Sequence, residues 1–336
     1  MSDTASTFPA VLITGANGFV GQRLAQTLHQ AAYPLRLCTR KTWQLPNAEQ
    51  NPAKPSANIH YFAVGDLSDK TDWSTALTVD GEAVEVVVHC AARVHVMNDT
   101  SADPLAAFRA LNRDASIALA QQAANAGVKH FIYLSSVKVN GEQTTGGKAF
   151  QESDTPVPSD PYGISKCEAE QALLAIGAKT GMAVSIIRPP LVYGDGVAAN
   201  FLSMLRWVRK GIPLPLGAIR NQRSLVYVAN LVDFIRHCML RPEAAQQIYL
   251  ISDDHDLSTS ALLRAAAKAQ NKPARLLPVP AVFLYVGATL LGKRAIADRL
   301  CGSLQVDISK AKRDLQWTPP YSVEQGLQDS VRSFER

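Results

Sequence analysis

The segment VLITGANGFVG, residues 11–21, constrains the fold more than any other stretch. Its first residues are an apolar run that reads as a buried strand. Glycines follow at 15, 18 and 21, and the amphipathic run QRLAQTLHQA (22–31) comes next. Glycine has no Cβ, so a turn built here lets a bulky anionic group approach the backbone closely. A helix starting at the turn aims its unbonded N–H groups and positive dipole end at that group. A glycine triplet alone is common. Set between strand and helix, Gly15, Gly18 and Gly21, with Asn17, Phe19 and Val20 between and beside them, read as the pyrophosphate cradle of a dinucleotide; the plain alternative is a tight turn.

The rest of the chain repeats the strand-and-helix alternation. Apolar runs recur at 10–14, 35–38, 59–64, 84–91, 130–136 and 183–189, with helical patterns between several of them, including 108–127, which stops on Gly127. Continuous apolar strands alternating with amphipathic helices predict an α/β fold: a Rossmann-type doubly wound parallel sheet covered on both faces. The segment 44–58 is polar and Pro-rich and reads as a surface loop. After about residue 190 the pattern loosens, and 224–240 reads as a short strand and helix returning to the main sheet. The expected division is a dinucleotide-binding domain over 1–185, with returning pieces near 186–192 and 224–243. A smaller, discontinuous C-terminal substrate lobe is expected mainly over 193–336.

Composition excludes several classes. The 336 residues are 47% hydrophobic and 19% charged, with 34 Lys+Arg against 29 Asp+Glu. That net charge of +5, with no Lys/Arg run above three, is no nucleic-acid footprint. Five widely spaced cysteines without a C-x-x-C argue against disulfides or a metal site and fit a reducing cytoplasm. The N-terminal MSDTASTFPA lacks the features of a signal peptide. The longest apolar run, AVFLYVGATLLG (281–292), has 12 residues, too few to span a bilayer. It reads as a helix packed into the protein or a dimer. The Lys293 and Arg294 that follow leave peripheral membrane contact as the other option.

An NAD-binding fold of this kind carries an Asp or Glu about 20 residues past the glycines, gripping the ribose. Here the chain reads Thr39-Arg40-Lys41. A cation suits the 2′-phosphate of NADP(H), with Arg40 placed for it and Lys41 as a helper; the alternative is a solvated strand end. Asp66, ahead of Leu67, either accepts from the adenine amine or caps a helix.

The chemistry centres on DPYGISKCEAEQALL (160–174). Tyr162 and Lys166 stand four apart, on one face of a helix. A phenol is a poor base at pH 7, and an ammonium one turn away favours its phenolate, as would a cationic nicotinamide ring. The pair can exchange a proton with an alcohol while hydride passes to NAD(H) or NADP(H). Y-x-x-x-K alone is often accidental. Its context is the strand ending FIYLSSVKVNG, because ligands in an open parallel sheet lie beyond the strands' carboxyl ends. Ser135 or Ser136 would sit there and hold the reacting oxygen, unless the pair merely caps a turn.

The order and spacing of TGANGFVG, VVVHCAA, LNRDAS, FIYLSSVKVNGE, PYGISKCEAE, IIRPPLVYGDG, NQRSLVYVANLVD and DISKAKRDLQWTPP resemble, over nearly the whole chain, the extended short-chain dehydrogenases/reductases. The branch is that of UDP-glucose 4-epimerases and UDP-hexosulose 4-reductases. The resemblance implies Ser136, Tyr162 and Lys166 as the catalytic set. It implies that Asn112 helps hold the cofactor side, that Ala91 and Ala92 line the cofactor's path and that Arg188, Pro189 and Pro190 pass beside the nicotinamide. It places a UDP-sugar near Asn200 and Phe201, with Arg223 on its diphosphate. Arg299 is a second candidate there, or an exposed helix arginine. A forked guanidinium suits a diphosphate. A tyrosine that often follows the catalytic serine by four in hexose epimerases is Asn140 here, with Lys138 between. A homodimer built on helices around 108–127 and 162–176 is the implied assembly.

Two activities use these parts. A UDP-2-acetamido-2,6-dideoxy-hexos-4-ulose 4-reductase, supplying surface polysaccharide precursors, delivers hydride once and exchanges its cofactor. A UDP-glucose or UDP-N-acetylglucosamine 4-epimerase keeps NAD bound and returns the hydride. The cation at 40 favours the reductase. A third reading is a dinucleotide sensor without catalysis.

Overall fold

The strand expected at the glycine loop is β1 (Val11–Thr14), buried along its whole length, and it pairs in parallel with a neighbour on each side. A computed structural model describes residues 8–48, 58–79, 81–94 and 102–332. Residues 1–7 of the N-terminal stretch and 49–57 of the Pro-rich segment lie outside the described residues.

The six apolar runs form β1, β2 (Leu35–Thr39), β3 (Ile59–Ala63), β4 (Val86–His89), β5 (His130–Leu134) and β6 (Ala183–Arg188). A seventh strand, β7 (Gln247–Leu250), adds at the edge, giving the order β7-β6-β5-β4-β1-β2-β3. Every pairing from β3 across to β6 is parallel. The order reverses direction at β1, where the crevice between β1 and β4 opens at the strands' carboxyl ends, the place where ligands bind in such sheets.

Helices α1 (Phe19–Gln30), α2 (Pro104–Arg109), α3 (Ala115–Asn125) and α4 (Pro161–Thr180) belong to the same unit. Leu12, Val87, Phe131, Tyr133 and Ile186 of the sheet form one core with Leu119 and Ala123 of α3 and Ala169 and Leu173 of α4. Burying an aliphatic or aromatic side chain contributes about 1.5–3 kcal/mol, which explains why these core positions are apolar. Between α2 and α3 the chain makes one π-helical turn, Ala110–Asp114, where the sequence predicts plain helix. The last helix of that stretch ends at Asn125, and Gly127 follows with φ +86°.

The run at 224–240 corrects one expectation. Leu225–Tyr227 does form a strand, leading into the helix Val228–Met239, but it pairs in parallel with Leu191–Tyr193 in a separate two-stranded sheet. The strand that joins the main sheet is β7. The chain divides into two compact units: 1–140, 155–188 and 234–249 make the first, and 141–154, 189–233 and 250–336 the second. The second has a core of Val208, Leu216, Ile219, Leu263 and Ala267. The apolar run 281–292 forms the helix Ala281–Leu290. Ala281 and Leu284 pack against that core, and none of the helix's residues is buried. No helix among the described residues is long and apolar enough to cross a membrane.

Candidate active site

The glycine loop has the geometry of a cradle. Gly15 takes φ +64°, and a Cβ there would meet the backbone nitrogen of Ala91 at 2.9 Å. Gly18 is the N-cap of α1, with no side-chain cap and no acid in the first turn, so the helix's first N–H groups remain for an anion. A Cβ on Gly21 would lie 2.2 Å from the Gly15 carbonyl oxygen. Gly15 and Gly21 thus let the loop pack backbone to backbone, on the segment after β4 and on itself, which fixes the tight turn at the start of α1. Asn17 is exposed, Phe19 and Val20 half-buried, around the same turn. Alanine ordinarily stabilises a helix position by about 1 kcal/mol over glycine. Gly21→Ala is expected to do the reverse, lowering the midpoint of urea unfolding and weakening dinucleotide binding at least ten-fold, read by fluorescence titration.

Behind the loop lies a buried polar relay. The Thr14 hydroxyl pairs with His89 Nδ1 at 2.6 Å and accepts from the Ala91 N–H at 3.2 Å. His89 Nε2 meets the Ser116 hydroxyl at 2.9 Å. Burial, then the charge of Lys166, pushes the imidazole down to about 3, so it stays neutral and orients the loop after β4. Ala91 and Ala92 stand half-buried on that loop.

Asn112 sits inside the π-turn and is fully buried. Its amide donates to the Arg93 carbonyl (3.1 Å) and to the Ser165 hydroxyl (3.0 Å), and its oxygen accepts from the Arg93 N–H (2.8 Å). Its own carbonyl accepts from Tyr133 (3.0 Å) and Ser116 (2.8 Å). One side chain thus ties the loop after β4 to α4. π-turns recur at functional positions because the extra residue redirects a side chain.

Tyr162 lies in the first turn of α4, whose N-cap Asp160 accepts from the Gly163 N–H at 2.6 Å. Its phenol hydrogen-bonds with the Ser136 side chain, and its ring meets Phe108 edge-on at 6.1 Å. Ser135 faces elsewhere: it is buried and donates to Glu170. Of the two serines it is Ser136 that stands beside Tyr162. Lys166 Nζ lies 6.0 Å from the Tyr162 ring centre and 4.3 Å from that of Tyr133, and donates to the Leu134 carbonyl at 2.8 Å.

Electrostatics differ from the sequence expectation. Burial drives the Tyr162 phenol up to about 12, against the opposing pull of the Ser136 hydrogen bond. The same burial drives Lys166 down to about 7, opposed by the charge of Glu170. Spacing places the lysine on the tyrosine's helix face, and burial shifts both groups away from their charged forms.

Glu170 is the residue sequence reasoning missed. It is buried with Arg188, which grips its carboxylate through Nε (3.0 and 3.1 Å) and Nη2 (2.5 Å). Arg188 Nη1 donates to Asn140 Oδ1 at 3.0 Å, so the residue standing where epimerases often have tyrosine belongs to this network. The signal was present: Tyr162, Lys166 and Glu170 recur every four residues along one helix face. Lys138 pairs with Asp160.

At the end of β2, Arg40 Nη1 lies 3.3 Å from Asp66 Oδ1, both side chains well exposed. Asp66 caps no helix; it sits in a bend, with Leu67 half-buried beside it. In the second unit, Arg223 donates to the backbone carbonyls of Arg299 (3.0 Å) and Gly302 (3.1 Å). Arg299 is exposed, its Nε reaching only the Ala295 carbonyl of its own helix, at 3.3 Å. Asn200 is exposed, but the Phe201 ring is buried and stacked on Tyr193 at 5.4 Å, which leaves mainly its backbone for any ligand. Pro189 is buried.

The sheet, the glycine cradle and the hydroxyl–phenol–amine cluster define a Rossmann-type enzyme of the short-chain dehydrogenase/reductase kind. The chain belongs to the NAD dependent epimerase/dehydratase family, whose model matches residues 11–252, and its cofactor is accordingly a nicotinamide dinucleotide. It is 44% identical over 326 residues to a UDP-glucose 4-epimerase of Vibrio cholerae, covering 97% of this chain and 95% of the relative. Among solved structures it is similar to a UDP-glucuronic acid 4-epimerase from Bacillus cereus in complex with NAD (TM-score 0.75, 20% identity, 97% and 98% covered). It is also similar to RMD from Pseudomonas aeruginosa complexed with NADPH (TM-score 0.72, 19% identity, 97% and 100% covered). One fold therefore serves either dinucleotide.

Proposed function

We propose that the chain catalyses hydride transfer at C4 of a UDP-sugar and that it works as a reductase of a UDP-4-keto-hexose, with UDP-2-acetamido-2,6-dideoxy-hexos-4-ulose as the substrate class. The observation that carries this reading is Arg40, an exposed cation at the end of β2 where an NAD enzyme of this fold carries an acid; Tyr162, hydrogen-bonded to Ser136, is the proton donor the reaction needs. Reduction of a ketone needs a proton donor at the oxygen, and a protonated phenol is one.

When bound, the reduced nicotinamide supplies the hydride that adds to C4. The residues of this chain supply the rest. Ser136 donates a hydrogen bond to the same oxygen and orients it. Tyr162 gives up its proton as negative charge develops there, leaving a phenolate beside Lys166. In its protonated form Lys166, with a pKa pushed down to about 7, stabilises that phenolate. Glu170 and Arg188 fix Ser135 and Asn140 below the reacting groups. The glycine cradle holds the dinucleotide's pyrophosphate, and Arg40, with Lys41, meets a 2′-phosphate. Arg223, Asn200 and the backbone at Phe201 take the UDP-sugar, with Arg299 an additional cation. α3 and α4 are the surfaces proposed for a homodimer.

A second reading, 4-epimerisation of UDP-glucose or UDP-N-acetylglucosamine, is favoured by the Vibrio cholerae relative's name and identity. Incubation with UDP-glucose or UDP-N-acetylglucosamine and no added cofactor separates the two. The reductase reading expects no galacto epimer; rapid epimer formation overturns it.

Cofactor choice gives a further expectation. Arg40→Ala should weaken NADPH binding about ten-fold or more and change NADH binding less than two-fold, because an exposed guanidinium meeting a phosphate makes a charge-assisted contact of about 1.5–3 kcal/mol. Equal effects on both dinucleotides would leave Arg40 a strand-end residue.

A further inference from the structure

The helix Ala281–Leu290 is apolar on both faces, yet only one is covered by the second unit's own core. Ala281 and Leu284 turn inward. Val282, Phe283, Val286 and Leu290 recur at the i, i+1, i+4, i+8 spacing of the opposite face, and Phe283 and Leu290 are 65% and 82% exposed. Leu291 continues the patch. A surface helix is ordinarily polar on its outward side, and contiguous exposed apolar area marks an interaction surface.

Charge identifies the occupant. Residues 257–306, which carry this helix, hold seven Lys/Arg and a single acid, Asp298, a net of +6. The whole chain is +5, so the other 286 residues together come to −1. The basic character of the protein is therefore concentrated around its exposed apolar helix. Lys293 and Arg294 follow the helix directly and Lys272 and Arg275 precede it, all four exposed. Arg275 also reaches the Gly211 carbonyl at 3.4 Å. An apolar face rimmed by cations matches an acyl–headgroup boundary bearing anionic lipid. A second copy of this chain would bring the same cations onto one another.

We infer that the face of Val282, Phe283, Val286 and Leu290, with Lys293 and Arg294, docks the protein on an anionic lipid surface. The helix lies in the plane of the interface, its outward side chains among the upper acyl chains and the lysine and arginine at the headgroups. This inference is independent of which reaction the first unit catalyses.

The test is co-sedimentation of the full chain with vesicles of phosphatidylcholine alone or mixed with phosphatidylglycerol. Binding to the mixed vesicles is expected to exceed that to neutral ones at least ten-fold and to fall at high salt. Each cation near such a surface is worth roughly five-fold in partitioning, so Lys293→Glu/Arg294→Glu should lose about 25-fold or more. Phe283→Asp/Leu290→Asp should lose binding through the apolar face. Both variants alter exposed positions, so unchanged thermal melting is expected and verifies folding. No preference for phosphatidylglycerol, or full binding by both variants, overturns the inference. So does a dimer in light scattering that Phe283→Asp/Leu290→Asp dissociates while vesicles never bind; that result would assign the face to a second copy.

Discussion

Tyr162→Phe is expected to lower turnover about a thousand-fold while leaving dinucleotide affinity within about two-fold of wild type. The ring stays, so the edge-on contact with Phe108 and the packing over Lys166 stay with it. What leaves is the proton shared with Ser136. General acid catalysis by a positioned side chain contributes roughly a hundred- to ten-thousand-fold, and with a second hydroxyl still at the oxygen the middle of that range is expected. The variant separates an enzyme from a sensor of the same fold. A sensor would bind dinucleotide equally well with either residue and turn over UDP-sugars with neither. Steady-state kinetics and a binding titration on the same preparation decide it.

Glu170→Gln is expected to destabilise the protein by about 3 kcal/mol or more, read as a lower urea midpoint at unchanged slope. Arg188 would then keep its charge in a dry interior with a neutral amide in place of its carboxylate. Breaking one half of a buried pair costs about 3–5 kcal/mol because the remaining charge is uncompensated. Replacing both residues with apolar ones, Glu170→Leu/Arg188→Met, should recover much of the loss. If the double variant is simply the sum of the singles, the pair is not coupled and the network beneath the site has been misread. Turnover should fall too, since Glu170 anchors Ser135 and its charge supports that of Lys166.

Five of the six main strands were legible because each is an apolar run buried along nearly its whole length, as a parallel sheet demands, while β3, at the edge, is only partly buried but still mostly apolar. β7 was not: Gln247–Leu250 is a four-residue edge strand with too few residues to show a period. Leu225–Tyr227 is as apolar as any sheet strand, and the sequence contains nothing to say that its partner is Leu191–Tyr193. Tyr162, Lys166 and Ser136 could be named from spacing and resemblance. Their ionisation could not, because it depends on how far burial removes them from water, and that is a property of the packed fold. The π-turn holding Asn112 is likewise written in tertiary contacts, since ALNRD has no feature that distinguishes it from ordinary helix. Arg40 was visible as a cation at the end of β2; its pairing with Asp66, 26 residues on, was not.

The central claim is that hydride arrives at C4 of a UDP-sugar. Incubating the enzyme with a UDP-4-keto-hexose and NADPH deuterated at the transferable position, then examining the product by NMR, tests it directly. The account predicts one deuterium on C4 of the UDP-sugar product, and loss of that signal with Tyr162→Phe. A product free of deuterium at C4, or the label at another carbon, would contradict it.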